Sequence, residues 1–276
     1  TPYGKDESGE PAVLPGVVVR PQRPAQVRTV LRLAAEREIP VTPRGGGTGK
    51  SGGAIPVAGG VVLALEKMNR VLDVDEDDLV VVCEPGVILE HLHEVVEGQG
   101  LFYPPDPASL DSCSLGGNIA ENAGGPRAVR YGVTGDYVLG LELACMDGGR
   151  LETGGRTVKN VSGYDLTSLV VGSEGTLAVV TRMQLRLVAR PRAVAALWVD
   201  FPGLGEAGKS IAALLRSGFD ARCLEVMDTI ALEHAGLSHA GGVEAPGAAL
   251  LVELDGHEEA LEARLTETLT AIEGIK

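Results

Sequence analysis

Between Pro43 and Gly53 the chain reads PRGGGTGKSGG, and a run of this kind can hold phosphate. Glycine tolerates positive φ, so successive backbone N–H groups can turn toward one anion. Three loops share these letters. A Walker A loop, G-x-x-x-x-G-K-[ST], requires a first glycine where this sequence has Arg44, and it must open a helix. Here Gly52, Gly53 and Pro56 follow, which disfavours a helix start. A dinucleotide fingerprint fits Gly47, Gly49 and Gly52 with Glu66 as the downstream acid, but it needs the same missing helix. The remaining readings are a strand-loop-strand nest that binds an anion without a helix dipole, and a plain flexible surface loop.

Other chemistry-bearing types are sparse. Cys83, Cys113, Cys145 and Cys223 lie far apart without a C-x-x-C pair, which fits core thiols in a reducing compartment better than a disulfide frame or zinc site. His91 and His93, at i and i+2 of an expected helix, point to different faces and read as solvated; His234, His239 and His257 have no ligand spacing with acids. No metal site is expected.

The elements that must position the loop follow from periodicity. Val17–Val19 read as a short strand, Val27, Val30, Leu31 and Ala34 share one helical face, and residues 39–42 return as a strand into the glycines. GGVVLALEKM and LVVVCEPG read as further strands, and VILEHLHEVVEGQG as an amphipathic helix stopped by glycine. Residues 104–125 show little regular pattern, and so long a loop is usually functional. YVLGLELACMDGGRL reads as a hairpin strand turning at Asp147, Gly148 and Gly149, and VVGSEGTLAVVTRMQLRLV as a glycine turn feeding a long strand. After Arg190 the order becomes β-α-β, then β-α, one strand short of a ferredoxin-type split sandwich. The first fifteen residues are polar and aperiodic, and both ends read as cut edges of a longer protein.

The 276 residues allow one large or two medium domains, with 44% hydrophobic and 22% charged residues. A formal charge of -14 disfavours nucleic acid as a partner. No apolar run is long enough to span a bilayer and no signal peptide is evident, so the expected compartment is the cytoplasm.

Three segments in order carry a resemblance: PRGGGTGKSGG, PPDPASLDSCSLGGNIAENAGG and VKNVSGYDLTSLVVGSEGTLAVVT. Together they resemble the FAD-contacting segments of the FAD-linked oxidase family with the PCMH (vanillyl-alcohol-oxidase) type flavin domain. The nearest likeness is to its glycolate oxidase FAD subunits and its D-lactate and D-2-hydroxyglutarate dehydrogenases. The resemblance implies an α+β chain: residues 1–190 as a PCMH-type FAD-binding domain of two α/β subdomains, and 191–276 as the N-terminal part of a ferredoxin-like substrate cap.

It also implies roles. Arg44, Gly45, Gly46, Gly47, Thr48, Gly49 and Ser51 would face the FAD pyrophosphate. Pro105, Asp106, Ser109, Ser114, Gly116, Gly117 and Asn118 would line the ribityl and isoalloxazine side, with Asn122, Ala123, Gly124 and Gly125 closing over the flavin. Glu174, Gly175, Thr176 and Val180 would meet the adenine and ribose end, and Tyr164 would lie near the flavin ring. Taken singly, residues 174–177 are equally a plain turn and Asp106 an ordinary turn acid. Some relatives carry a flavin-linking histidine where this chain has Thr48, so FAD is expected to be noncovalent.

The implied activity is oxidation of a small 2-hydroxy acid by hydride transfer to flavin N5, with electrons passing to a separate acceptor such as an iron-sulfur subunit. The family's base and metal ligands belong to later cap sequence beyond Lys276, so no catalytic residue is named. The alternatives are a non-catalytic flavin-binding subunit or fragment and a D-2-hydroxyglutarate dehydrogenase. The sugar-nucleotide enolpyruvyl reductase, with a similar flavin fold, fits GSEGTL and NAGG less well.

Overall fold

The structure is a computed structural model that describes residues 2–57, 59–237 and 246–273. Its strands and helices run β1 (Val17–Val19), α1 (Pro24–Glu36), β2 (Val41–Arg44), β3 (Val61–Ala64), β4 (Val71–Asp75), β5 (Val80–Cys83), α2 (Leu89–Glu97), β6 (Leu101–Phe102), α3 (Leu115–Glu121), α4 (Ala128–Tyr131) and β7 (Val138–Ala144). They continue with β8 (Arg150–Gly154), α5 (Leu166–Val170), β9 (Val179–Arg186), β10 (Val188–Ala189), β11 (Ala193–Phe201), α6 (Leu204–Arg216), β12 (Cys223–Asp228), α7 (Thr229–His234), β13 (Ala248–Gly256) and α8 (Glu258–Glu273). This is a mixed helix-and-sheet chain, as its alternating periodicities predict.

The chain divides into two compact units. One holds the chain up to Gly124 together with Val133–Ala189; the other holds Gly125–Gly132 and the chain from Arg190 onward.

In the first unit β1, β3 and β2 form a parallel sheet in that order, and β4-β5-β9-β7-β8 form an antiparallel one. Helix α1 joins them: Val27 and Leu31 bury in one cluster with Leu63 after β3's centre, Met68, Ala144 of β7 and Val179 of β9. The helix starts with Pro24 at its first position, where the missing N–H costs nothing. Because β2 and β3 are parallel neighbours, the chain between them must cross from one end of the sheet to the other. Its described residues do so in turns and bends with no helix, which removes both helix-dependent phosphate loops. The loop therefore begins where β2 ends, at Arg44.

Residues 104–125 are not irregular throughout, which corrects the reading from pattern. They contain α3, begun by Ser114, whose side chain accepts from the Gly117 N–H, and ended by Asn122 in the left-handed conformation. Gly116 and Gly117 depress helix propensity and hid it. Gly116 is needed for close packing, since a Cβ there would stand 2.7 Å from Pro85 Cβ.

His93 corrects a second expectation. His91 is exposed, but His93 is buried, with its ring tilted against those of Phe102 and Tyr103 at centroid distances of 6.4 and 6.2 Å.

In the second unit β13 lies between β11 and β12 and is antiparallel to both. Strands β11 and β12 are thus parallel with a strand inserted between them, a split β-α-β arrangement. Phe201, Leu214, Leu250, Val252, Leu254, Leu261 and Ile272 form the core beneath α6 and α8.

Candidate functional site

The glycine loop, α3 and the 173–180 turn and strand enclose a cleft of about 270 Å³ in the first unit. The first wall is the loop. Among the described residues no N–H from Gly45 to Ser51 donates a backbone hydrogen bond, although Arg44 O just before them accepts from Leu65. These residues are half-buried or exposed, so their N–H groups are solvated in the open loop and available to an acceptor that enters the cleft. Gly47 and Gly52 take φ of 75° and 85°, which turns the backbone through the loop.

Glycine is forced at the loop's start by packing. A Cβ at Gly45 would lie 2.2 Å from Ser114 Oγ and one at Gly46 2.4 Å from Ser112 O, so loop and α3 entry touch there. The Arg44 side chain does not project into the cleft as a free cation. It is buried, and Nη1 donates to Lys5 O at 2.8 Å and to Ala54 O at 3.3 Å. Burial lowers its pKa, with Asp6 opposing that shift. Arg44 thus closes the loop onto the N-terminal segment.

Helix α3 is the second wall. Asn118 is buried and lines the cleft, and its Nδ2 makes no hydrogen bond of ordinary geometry; the nearby Cys113 thiol is a weak acceptor at best. A buried amide donor without a partner is costly, so a ligand acceptor in the cleft would satisfy it.

At the third wall Glu174 and Gly175 both take left-handed φ, 52° and 71°. For the non-glycine Glu174 this costs about 1–2 kcal/mol. The turn is held by Gly172 N–H to Ile119 O and Glu174 N–H to Ala120 O, each 2.9 Å. The strain delivers the Glu174 carboxylate to the glycine loop, where Ser51 Oγ donates to Glu174 Oε2 at 3.0 Å with Glu121 Oε1 at 3.4 Å. Burial, and then the charge of Glu174, raise the Glu121 pKa.

Of the residues expected at the site, Arg44 to Gly49, Ser109, Ser114, Gly116, Gly117, Asn118, Ala123, Glu174, Gly175 and Val180 line this cleft. The others lie elsewhere. Ser51 touches the two carboxylates at the mouth, and Thr176 Oγ1 donates to Ser173 O within its own turn. Asn122 Oδ1 accepts from Gly135 N–H at 2.8 Å and braces the next loop. Pro105 is buried and Asp106 half-buried outside the cleft, Gly124 packs toward Val133, and Gly125 falls in the second unit. Tyr164 stands 96% exposed on the segment before α5, away from the cleft. The sequence reading missed Glu121, Lys50 and Pro107, which do line it. Glu121 and Lys50 sit inside the quoted motifs, and helical spacing from Asn118 places Glu121 near the same wall once α3 is recognised.

A loop of unbonded N–H donors and an orphaned amide donor in one cleft suit a phosphorylated, heterocyclic cofactor, and comparison with known proteins names the cofactor family. The sequence matches the FAD binding domain family over residues 15–154. The chain belongs to that family. It is 38% identical over 98% of its length to glycolate oxidase subunit GlcD of Bacillus subtilis, covering 57% of that protein. It is 42% identical over 93% of its length to a D-lactate dehydrogenase of Archaeoglobus fulgidus, covering 58%. The chain thus spans a little under three fifths of these curated relatives. Its fold is similar to p-cresol methylhydroxylase, with a TM-score of 0.85 at 20% identity over 99% of this chain and 59% of the other. As a member of this FAD-binding family, the chain has FAD as its cofactor, and the cleft's free donors fit the diphosphate and ring edge such a molecule offers. Among the described residues no group of three His, Cys, Asp or Glu gathers as for a metal ion, and no helix is long and apolar enough to cross a membrane.

Proposed function

We propose that this chain is the flavin-holding part of an FAD-dependent oxidoreductase that oxidises a small 2-hydroxy acid of the glycolate or D-lactate type. The observation that carries the reading is the run Gly45–Lys50, whose N–H groups make no backbone hydrogen bond among the described residues, lining the same cleft as the unpartnered, buried Asn118 amide. The named relatives supply the substrate class.

In this reading the Gly45–Gly49 backbone holds the diphosphate, replacing its hydration with fixed donors. Asn118 Nδ2 donates to an acceptor on the flavin side and orients it. Glu174, aimed by its strained turn, accepts from sugar hydroxyls, and Ser51 steadies that carboxylate. FAD, when bound, would supply the two-electron acceptor, at N5, for the substrate's Cα hydrogen leaving as hydride. Thr48 stands where histidine-linked relatives carry their flavin-bearing histidine, so the flavin is held noncovalently. Residues 191–276 belong to a ferredoxin-like substrate cap, an iron-sulfur subunit accepts the electrons, and the protein works in the cytoplasm.

The test is the visible spectrum of the purified protein, followed by anaerobic addition of glycolate, D-lactate and D-2-hydroxyglutarate in turn, then acid precipitation. A flavin spectrum bleached by one acid, with the yellow colour leaving in the supernatant, is the expected result. A flavin spectrum that no acid bleaches selects the non-catalytic flavin-binding subunit instead. A colourless protein that takes up no added FAD overturns the reading.

A further inference from the structure

The cleft has a charge problem that its family membership does not resolve. Its charged lining residues are Arg44, Lys50, Glu121 and Glu174. Both carboxylates converge on Ser51 at the mouth, and Asp6 adds to the negative field there. A cofactor diphosphate brings further negative charge. Arg44 is spent on the carbonyls of Lys5 and Ala54, and its guanidinium packs so closely on the loop that a Cβ at Gly47 would stand 2.0 Å from Nη2. Lys50 is the lining cation whose head can move.

At present Lys50 is held by the N-terminal segment. Its Nζ lies 2.8 Å from Glu7 Oε2, with side-chain exposures of 74% and 53%. Glu7 is fixed in place: its N–H donates to Gly49 O at 3.2 Å, Lys5 O accepts from Arg44, and Asp6 Oδ2 accepts from Ala54 N–H at 3.4 Å. Tyr3 OH, donating to Glu66 Oε1 at 2.9 Å, ties down the start of the same strap. Residues Tyr3–Glu7 thus run along the glycine loop and present one carboxylate to its lysine. An exposed ion pair of this kind is weak enough to exchange.

We propose that Lys50 is the mobile counter-charge of the cofactor's diphosphate and that Glu7 on the N-terminal strap competes with the cofactor for it. Loading FAD then exchanges one ion pair for another, and the strap sets the affinity of the loop it lies on. This rests on the FAD reading of the cleft and adds to it the residue that compensates the diphosphate and the residue that opposes it.

The experiment is titration of FAD into the deflavinated protein, read by quenching of flavin fluorescence, for the wild type, Lys50→Gln, Glu7→Gln and the double variant. Both side chains are exposed, so folding is preserved and is checked by thermal melting. Lys50→Gln is expected to raise the Kd for FAD about fivefold and Glu7→Gln to lower it about twofold, the range of an exposed charge pair. In the Lys50→Gln background most of the Glu7→Gln gain should vanish, and Lys50→Arg should bind nearly as the wild type. Riboflavin, which lacks the diphosphate, should bind the wild type and Lys50→Gln equally. An unchanged Kd in Lys50→Gln overturns the role of the lysine; an equal Glu7→Gln effect in both backgrounds overturns the competition. A wild type that takes up no FAD instead overturns the underlying cofactor reading.

Discussion

Single residues at this site are chosen for what they leave out. Gly46 has no room for a methyl group because the backbone oxygen of Ser112 would lie 2.4 Å from it, and backbone cannot swing aside as a flexible side chain can. Gly46→Ala should therefore part the loop from the entry to α3, at a stability cost of about 1–3 kcal/mol, and weaken FAD binding at least tenfold. Thermal melting and flavin titration measure the two effects, and a variant that melts and binds like the wild type would refute the close approach. Gly53→Ala is the milder counterpart, since its Cβ would meet Glu174 Oε2 at 3.1 Å, the movable end of a side chain. Single-letter motif reading sees two interchangeable glycines; one is a packing constraint and the other is not.

Elements act here through their ends. Helix α3 spans Leu115–Glu121, and its Ser114 cap is the same hydroxyl that a Cβ at Gly45 would strike. Capping the helix and seating the loop are therefore one contact. Ser114→Ala removes the acceptor for Gly117 N–H and should cost about 1 kcal/mol. It should also loosen the cleft, raising amide hydrogen exchange from Gly116 to Asn118; exchange rates unchanged from the wild type would separate cap from cleft. The far end is equally tied, because Ile119 O and Ala120 O hold the strained 172–174 turn. In the five-stranded sheet, Glu142 shows how charge is handled inside an element. Burial alone would raise its pKa, but hydrogen bonds from Thr181 and Arg150 and the charges of Arg150 and Arg182 hold it below the usual carboxylate range.

At the scale of the whole molecule, the chain leaves the first unit at Gly124 and re-enters it at Val133, and the eight residues between belong to the second. What holds them there is a polar cluster around Asp255, 1% exposed on β13. Tyr131 OH donates to Asp255 Oδ2 at 2.7 Å, Arg130 pairs with Asp255 and, at 3.0 Å, with Asp220, and Arg222 Nη1 lies 3.5 Å from Oδ2. Asp255→Asn leaves these arginines without their buried counter-charge and should destabilise the second unit by about 3 kcal/mol, visible as a lower calorimetric transition and as faster proteolysis between Gly125 and Gly132. An unaltered transition would show the cluster to be dispensable. The cluster also has a pH signature. Burial, then the hydrogen bond and charge of Asp255, push Tyr131 up from 10.0 to about 12. A phenol whose folded pKa is raised contributes its full stability below pH 10 and loses it as pH rises through about 12, so the part of the stability that comes from keeping Tyr131 protonated should be lost over that window, which chemical denaturation from about pH 9 to 12 measures.

The sequence by itself determined the glycine loop, most strands and helices, the cofactor family and the change of texture near Arg190. These rest on local periodicity, on turn chemistry and on three motifs in order, all of which survive without knowledge of distant contacts. Short β4 escaped notice because Asp73 and Asp75 break its apolar pattern, as an edge strand allows. Helix α3 escaped because its glycines lower helix propensity, and Gly116 is there to pack against Pro85. Only the tertiary structure decided that Arg44 braces the loop, that His93 is buried, and that Glu7, Glu121 and Glu174 meet the loop from positions far away in the chain. Such contacts depend on which surfaces the fold brings together, and a linear pattern records a residue's own preferences but not its partner's.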